Sequence, residues 1–447
     1  MASKSLQRKT ALFVVDAVLV AAAQLAALKL ITRPEYFADV VLVRPWWFVL
    51  PVVLWLLGVY LAQGYHLEEI VQPWRGLTAM FLASLGAAVA TGFTFFLVPA
   101  APEFSARVLA ALLVGVTLLL WLARLAYGRI LSASTFKEHL LIIGAGESAQ
   151  RLVEILRERQ RSPYRIVGVV TDGSLHALPD LLRREHVDTV VLGVPDRPND
   201  RLVRAVVALK RRGLKVTELT ALFEELTGMV PVQYVGELAM LFQNYGQRSE
   251  LVRLLEEVAN RGTALVLTVL TVPLWLVIVL GQQLTSRGPI FVEKSDRVGL
   301  AGRTFRLFKF RSMVPNATAK GSALLTGKDD PRVTPFGRII RKTHVDELPQ
   351  LLNILRGDMH FIGPRAEYVE NVQRLEQQIP FYQERHLIKP GLTGWAQVRN
   401  VHTSASAADT LEKIQYDLYY LKHRSLALDL AILLRTAKLV LSGRGTA

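Results

Sequence analysis

Four apolar stretches crowd the first third of the chain: Thr10 to Leu28, Trp46 to Tyr65, Thr78 to Leu97 and Val108 to Leu122. Each approaches the ~20 residues that an α-helix needs to cross a bilayer, the last being the shortest. The first is long for a signal-peptide core and lacks a clear cleavage pattern, so it is expected to remain as an anchor. Lys4, Arg8 and Lys9 precede it, and Arg124, Arg129 and Lys137 follow the fourth stretch. The positive-inside rule therefore places both ends in the cytoplasm, with Lys29, Arg33 and Arg44 in the first outer loop weakening the contrast. Asp16 and Gln24 inside the first stretch mark a transport path or, more simply, face neighbouring helices or the interface.

From His139 to about Ala221 the pattern changes to alternating strand and helix signals: Leu140 to Ile143, a helix through Arg157, Ile166 to Val170, a helix near Pro179 to Glu185, then Thr189 to Gly193. That order predicts βαβ units and a parallel sheet. The first turn reads Gly144-Ala-Gly146-Glu-Ser-Ala149, a strand-turn-helix context in which Gly144 and Gly146 would let a helix N-terminus meet a pyrophosphate. Thr171-Asp172-Gly173 closes the second strand, where an acid would meet a ribose hydroxyl. A glycine turn that merely tightens a structural or regulatory domain fits equally well.

Gly262 to Ser286 is again uncharged for 25 residues. Taken as a crossing, it would carry everything after it out of the cytoplasm, yet Arg253 and Arg261 stand before it and Arg287, Lys294 and Arg297 after it. A hairpin that dips in and returns satisfies both flanks, and Pro273 near its middle supplies the bend. A kinked fifth span is the alternative. The final pattern, Leu426 to Leu441, predicts a mostly apolar helix with Arg435 and Lys438 on one face, lying in the interface or buried in a domain core.

Composition sharpens this picture. Hydrophobic residues make up 51% of the chain, charged residues 20%, and mean hydropathy is +0.29, which excludes wholesale disorder and points to a membrane protein. The absence of cysteine excludes disulfides, thiol catalysis and cysteine-metal sites. A net charge of +15 calls for a partner rich in phosphate: nucleic acid, anionic lipid or a phosphorylated substrate. Arg287 to Val345 alone holds 13 Lys/Arg against four Asp/Glu, more than half of that excess. Within it, Arg303-Thr-Phe-Arg306-Leu-Phe-Lys309-Phe-Arg311-Ser-Met313 partly alternates, predicting a strand with Arg303, Lys309 and Arg311 on one side. A basic strand interleaved with phenylalanine also suits nucleic acid, but a chain held at a bilayer meets lipid-linked phosphates first, so no nucleic-acid partner is expected.

Asp346 and Glu347 follow directly, in Arg341-Lys-Thr-His-Val-Asp346-Glu347-Leu-Pro-Gln350. Neighbouring helical residues point about 100° apart, so the two carboxylates can serve two centres, one attacking phosphorus and the other holding a metal. An acidic pair favoured by a helix dipole, or paired with Arg341 and Lys342, is the plain alternative.

Lys309-Phe-Arg-Ser-Met313, Asp346-Glu-Leu-Pro-Gln350, Arg356-Gly-Asp-Met359, Gly363-Pro-Arg365 and Lys389-Pro-Gly-Leu-Thr-Gly-Trp-Ala-Gln-Val398 together resemble the ordered motifs of bacterial sugar transferases, in their long form, which load a hexose 1-phosphate onto polyprenyl phosphate. The resemblance implies a four-helix transmembrane bundle (1–130), a Rossmann-like, CoA-binding-like parallel-sheet domain (138–230), and an α/β catalytic domain (250–447) with a re-entrant membrane helix at about 258–285 and interfacial helices. It implies Asp346 as nucleophile and Glu347 as the ligand of Mg2+, with Lys309, Arg311, Arg341 and Arg365, and Gln350 from the acid motif, on the substrate. It further implies UDP-hexose as donor, glucose or galactose leading, undecaprenyl phosphate as acceptor, UMP as product, and a first step in exopolysaccharide, capsule or O-antigen synthesis at the bacterial inner membrane, the catalytic domain facing the cytoplasm. A homodimer stays open. Three positions depart from the pattern: Val272-Pro273 replaces the usual Ser-Pro, Asn260 stands where an acid is expected, and Ala366 follows Arg365 where proline is usual. Two other classes remain, a non-catalytic assembly protein that senses nucleotide and a dinucleotide-dependent sugar oxidoreductase, and against the latter no Tyr-x-x-x-Lys pair follows the glycine turn.

Overall fold

The computed structural model describes residues 4–62, 64–65, 73–98, 106–132, 137–144, 146–158, 162–171, 176, 178–193, 200–234, 248–292, 296–315, 330–399 and 407–441. Asp172, Gly173 and Lys294 lie outside them. The chain divides into two compact units, Met1–Leu226 and Thr227–Ala447.

In the first unit, the helices α1 (Lys4–Ile31), α2 (Trp46–Leu61), α3 (Pro73–Leu97) and α4 (Ala106–Ser132) form a bundle. Its core follows from spacing: Leu12, Val20 and Leu28, and then Val108, Leu112, Val116 and Leu120, recur at multiples of four and so lie on one face of α1 and of α4. Trp55 and Val59 of α2 and Met80, Ala83 and Ala87 of α3 complete it. Gly58 permits close approach, because a Cβ there would stand 2.7 Å from the Ala83 carbonyl oxygen. Phe13, Val18, Val89 and Val114 stay exposed, as expected of residues facing lipid. The second apolar stretch is less simple than its sequence: α2 is preceded by helical residues 34–43 and is bent from them by 79°.

The two polar residues of α1 both find partners. Asp16 is fully buried and takes a bidentate contact from Arg124 of α4, at 2.6 and 2.7 Å, while the Arg124 Nε donates to the Gly64 carbonyl. Gln24 donates to the Phe48 carbonyl. Arg124 therefore belongs to the bundle interior and does not count among the flanking charges that orient the spans, a correction that leaves Arg129 and Lys137 to do so.

The parallel sheet of this unit has β1 (Glu138–Ile143), β2 (Tyr164–Val170), β3 (Thr189–Leu192) and β4 (Lys215–Glu218) in the order β2-β1-β3-β4; the alternating pattern predicts the first three and their parallel pairing, and β4 adds a fourth. Alternate residues face opposite layers. Leu140, Ile142 and Val191 meet α5 (Glu147–Glu158) and α8 (Leu219–Thr227) through Leu152, Leu156 and Leu222, while Leu141, Ile143 and Val190 meet α6 (Leu178–Arg184) and α7 (Asp200–Arg211) through Leu178, Leu202 and Leu209. Gly144 has a φ of +150° and its α-carbon abuts Gly193, so a Cβ would lie 3.0 Å from that backbone. The turn glycine thus has a packing reason of its own. Gly146 meets no such constraint, with only the Ser148 hydroxyl 4.0 Å from a Cβ.

The second unit opens on α9 (Glu250–Thr285), capped by the Ser249 side chain, which accepts from the Val252 amide. It begins eight residues earlier than expected and runs on as a helix through Pro273. Both of its flanks pack on the same unit: Glu257, Asn260 and Ala264 before the proline, Trp275, Ile278 and Gln282 after it. Between them Leu265, Val266, Val269, Leu270, Leu276 and Val277 are exposed. By length and composition α9 joins α1, α3 and α4 as a helix able to cross a membrane, which makes this a membrane protein.

The rest of the unit comprises an antiparallel pair β5 (Asp296–Val298) and β6 (Thr304–Arg306), helices α10 (Pro335–Lys342) and α11 (Gln350–Arg356), a parallel pair β7 (His360–Ile362) and β8 (Gly391–Thr393), and the final helices α12 (Ala407–His423) and α13 (Leu426–Leu441). The last helix buries Leu428 and Ile432 in the core and exposes Leu426 and Val440, so it is anchored in the domain on one face. Val230, which the sequence groups with the sheet domain, and Val232 just after it pack in this core as well.

Candidate active site

The acid pair sits on a single 3-10 turn, Val345–Glu347, that follows α10. Thr334 starts α10 by capping the Gly337 amide, and Pro335 fits its first turn. At its end His344 takes a left-handed conformation, φ 56°, rare for a residue with a side chain. That reversal sets the Asp-Glu turn at an angle to the helix. The Asp346 carbonyl then accepts from the Phe310 amide at 2.9 Å, which ties the turn to the basic segment beside it.

That segment is a strand only at Thr304–Arg306, shorter than its alternation predicts. Beyond it the backbone is shaped by Asn353, which is completely buried: its Oδ1 accepts from the Phe308 amide and its Nδ2 donates to the Arg306 carbonyl and to Asp358. Lys309 is thereby aimed at the acids. Its Nζ lies 2.9 Å from Asp346 Oδ2 and 3.2 Å from Glu347 Oε1.

Arg365 reaches the same carboxylate from the other side, its Nη2 3.1 Å from Glu347 Oε1. It stands in the loop after β7, where the Arg365 and Gly391 backbones bridge. The two motif glycines make this possible, because a Cβ at Gly391 would stand 2.1 Å from the Gly363 nitrogen. From beneath, Arg385 donates to the Arg365 carbonyl and is itself buried against Asp417 at 2.8 Å.

A cleft lined by Arg297, Leu307, Lys309, Glu347, Gln350, Met359, Arg365, Ala366 and Gly391 opens at this point. Four residues expected from sequence, Lys309, Glu347, Gln350 and Arg365, converge on it. Asp346 lies deeper, 2% exposed against 15% for Glu347, beneath the Lys309 ammonium. Burial alone would raise the Glu347 pKa, but the charges of Lys309 and Arg365 outweigh it and hold this carboxyl well below the usual carboxylate range. Lys309 is shifted upward: burial opposes its charge, and Glu347 and Asp346 more than restore it.

Two expected phosphate ligands go elsewhere. Arg311 is buried and turns its guanidinium to the Pro289, Ser286 and Met313 carbonyls and the Ser286 hydroxyl, fastening the end of α9 to the domain. Its backbone pairs with residues 290–292 through an isolated antiparallel bridge, Phe291 to Phe310, which sets Arg311 beside the end of α9. Arg341 lies on the last turn of α10, half-buried, where its charge acts on Asp330. Arg297 lines the cleft, although the sequence marks it only as a membrane-flanking charge. Asn260 replaces the expected acid and accepts from the Phe361 amide, joining α9 to β7 without a charge.

As to a divalent cation, two adjacent carboxylates are a donor set that Mg2+ accepts when substrate phosphates and water complete its shell, as is usual for that ion. Among the described residues no group of three or more His, Asp or Glu forms a protein-only cage. The residues fit a metal shared with a phosphorylated substrate.

Adjacent acids under bridging cations, on a unit carried by an apolar helix, make up the candidate site. Residues 251–443 match the family model described as bacterial sugar transferase. The chain is 39% identical over 192 residues to the UDP-glucose:undecaprenyl-phosphate glucose-1-phosphate transferase of Caulobacter vibrioides, covering 43% of this chain and 71% of that protein. It is 38% identical over 236 residues to the UDP-N-acetylgalactosamine-undecaprenyl-phosphate N-acetylgalactosaminephosphotransferase of Aeromonas hydrophila (52% and 53% covered), and 33% identical over 309 residues to the undecaprenyl-phosphate glucose phosphotransferase of Komagataeibacter xylinus (66% and 58%). The chain thus spans little more than half the length of these last two relatives. It belongs to the bacterial sugar transferase family.

Proposed function

We propose that this protein transfers a hexose 1-phosphate from a UDP-hexose to undecaprenyl phosphate and releases UMP. The observation that carries the reading is the cleft in which Lys309 bridges Asp346 and Glu347 while Arg365 closes on Glu347 from the opposite side. A carboxylate can attack the sugar-linked phosphorus of the donor: the new bond is Asp346 oxygen to phosphorus, the broken one joins that phosphorus to UMP, and UMP leaves with the bonding pair. An oxygen of the lipid phosphate then attacks the same phosphorus, and the Asp346 carboxylate departs. No water and no external proton enter either step.

Lys309 has a double part in this scheme. Before the donor arrives it covers Asp346, and by exchanging a carboxylate for a phosphate oxygen it would uncover the nucleophile and neutralise the group being attacked. Glu347, its carboxyl held well below the usual carboxylate range, would hold Mg2+ together with the substrate phosphates, and the ion's contribution would be to stabilise charge on the diphosphate. Gln350, buried beneath the cleft, would orient the donor.

The packing of both flanks of α9 on one unit, with a bare apolar middle, supports a helix that enters the membrane and returns, leaving the catalytic unit on the cytoplasmic side of the inner membrane. In this cysteine-free chain, Lys137→Cys and Lys342→Cys should both resist an impermeant thiol reagent in intact cells, and labelling of the second alone would refute the return.

Glu347, more exposed than Asp346, favours one second reading in which the two acids exchange roles. Intact-protein mass after exposure to UDP-hexose and Mg2+ without lipid separates them. A hexose-phosphate adduct in wild type and Glu347→Gln but not in Asp346→Asn upholds the first assignment; an adduct persisting in Asp346→Asn moves the nucleophile. UMP release from a panel of UDP-glucose, UDP-galactose and UDP-N-acetylgalactosamine identifies the sugar. A nicotinamide absorbance change with no UMP would replace the transferase reading by an oxidoreductase.

A further inference from the structure

The charges in the cleft are already spoken for. Lys309 and Arg365 are engaged by two carboxylates, Asp346 and Glu347, so these four groups sum to zero before any substrate enters. A nucleoside diphosphate brings further negative charge to this neutral cluster. One cation in the cleft has no carboxylate within ion-pairing distance among the described residues: Arg297. Its guanidinium carbon lies over the Tyr368 ring, 3.4 Å from the centroid, Nη1 donates to the Ala366 carbonyl, and Nε is buried without a partner.

We infer that Arg297 binds the diphosphate of the donor, with Tyr368 and the Ala366 carbonyl holding its guanidinium in place. The inference rests on the donor being a UDP-sugar. Stacking on one face leaves the edge of the guanidinium to present donors, and a planar fork matches two phosphate oxygens as an ammonium does not. Burial works against the charge of Arg297 and lowers its proton affinity, a penalty that an arriving phosphate would offset.

The test uses the full chain in detergent with Mg2+, and UDP as the probe. Arg297→Gln should weaken UDP binding and raise the KM for the donor roughly 10- to 100-fold, the loss expected of one charge-assisted contact, while leaving the KM for undecaprenyl phosphate unchanged. Arg297→Lys, which keeps charge and length but neither fork nor stack, should bind UDP several-fold more weakly than wild type. It decides the matter if the glutamine variant does not fold. Tyr368→Ala should share the donor defect, and Tyr368→Phe, which retains the ring, should not. Wild-type UDP affinity in both Arg297 variants overturns the inference, as does an equal rise in donor and acceptor KM, which would mark a merely structural role. A wild-type protein that neither binds UDP nor releases UMP is a different result, overturning the functional reading and this inference with it.

Discussion

Gly391→Ala adds one methyl group where β8 passes β7, and the geometry sets the consequence. The new Cβ would stand 2.1 Å from the Gly363 nitrogen, 2.4 Å from the Thr393 oxygen and 2.6 Å from the Ile362 carbonyl carbon, all of them backbone atoms that no rotamer change can move. Relief requires the two strands to separate by roughly 1 Å, enough to break the bonds from His360 to Pro390, Gly391 to Pro364 and Gly363 to Thr393. At about 1 kcal/mol each, the loss is about 3 kcal/mol. For a unit of this size that lowers the melting midpoint by roughly 6–12 °C. Arg365 lies two residues beyond Gly363, so its guanidinium shifts against Glu347 by a similar distance, and a 1 Å misplacement costs on the order of 100-fold in rate. Melting in detergent and initial rates of UMP release measure the two effects separately. A variant with wild-type melting and wild-type rate would show that the strand contact does not set the position of Arg365.

Arg311→Gln should lower stability by about 2–3 kcal/mol through its lost carbonyl contacts yet leave UDP affinity unchanged in the folded fraction; a selective donor defect would return Arg311 to the binding site. In the bundle, Asp16→Asn leaves Arg124 buried without its counter-charge and should destabilise by about 3–5 kcal/mol, whereas pairing Asp16→Leu with Arg124→Met should be milder than either single change, as read by unfolding in detergent. A double variant as damaging as the sum of its parts would contradict this. His386, edge-on to Tyr382, is shifted down to about 4 from 6.5 by burial and by Arg385. Between those values the unfolded chain binds the extra proton, so stability falls as pH drops from 6.5 towards 4, by up to about 3 kcal/mol. His386→Gln should flatten that part of the pH–melting curve, and an unaltered slope would exclude His386 as its source.

The sequence makes legible those features that repeat or cluster along the chain. The apolar runs mark the bundle, the strand-helix alternation marks three of the four strands of the parallel sheet, and the acid pair after a basic stretch marks the cleft. What escapes it are contacts set by backbone geometry at long separation. Arg311 and Lys309 are two residues apart in one motif with the same charge, yet one is claimed by carbonyls at Ser286 and Pro289 and the other by the acids. Nothing local distinguishes them, because which carbonyls remain unsatisfied depends on how α9 ends. Arg124 illustrates the same limit: among flanking charges it reads as topology, and only the proximity of α1 shows it as the counter-charge of Asp16. Arg297 is hidden for the converse reason, since its partner is an aromatic face 71 residues away rather than an acid.

The way α9 is moored has a consequence for where the chemistry takes place. Asn260 and Ala264 secure one limb and Ile278 and Gln282 the other, so the bare stretch between them cannot slide relative to Lys309 and Glu347. In the proposed membrane placement the helix acts as a keel of fixed draught: with its apolar middle immersed, the cleft would ride at one height above the hydrocarbon. The proposed water-borne donor would reach that height from any direction. On the proposed function, a phosphate tethered to a lipid would have to float at that height, so acceptor choice would follow how far a headgroup stands out of the membrane.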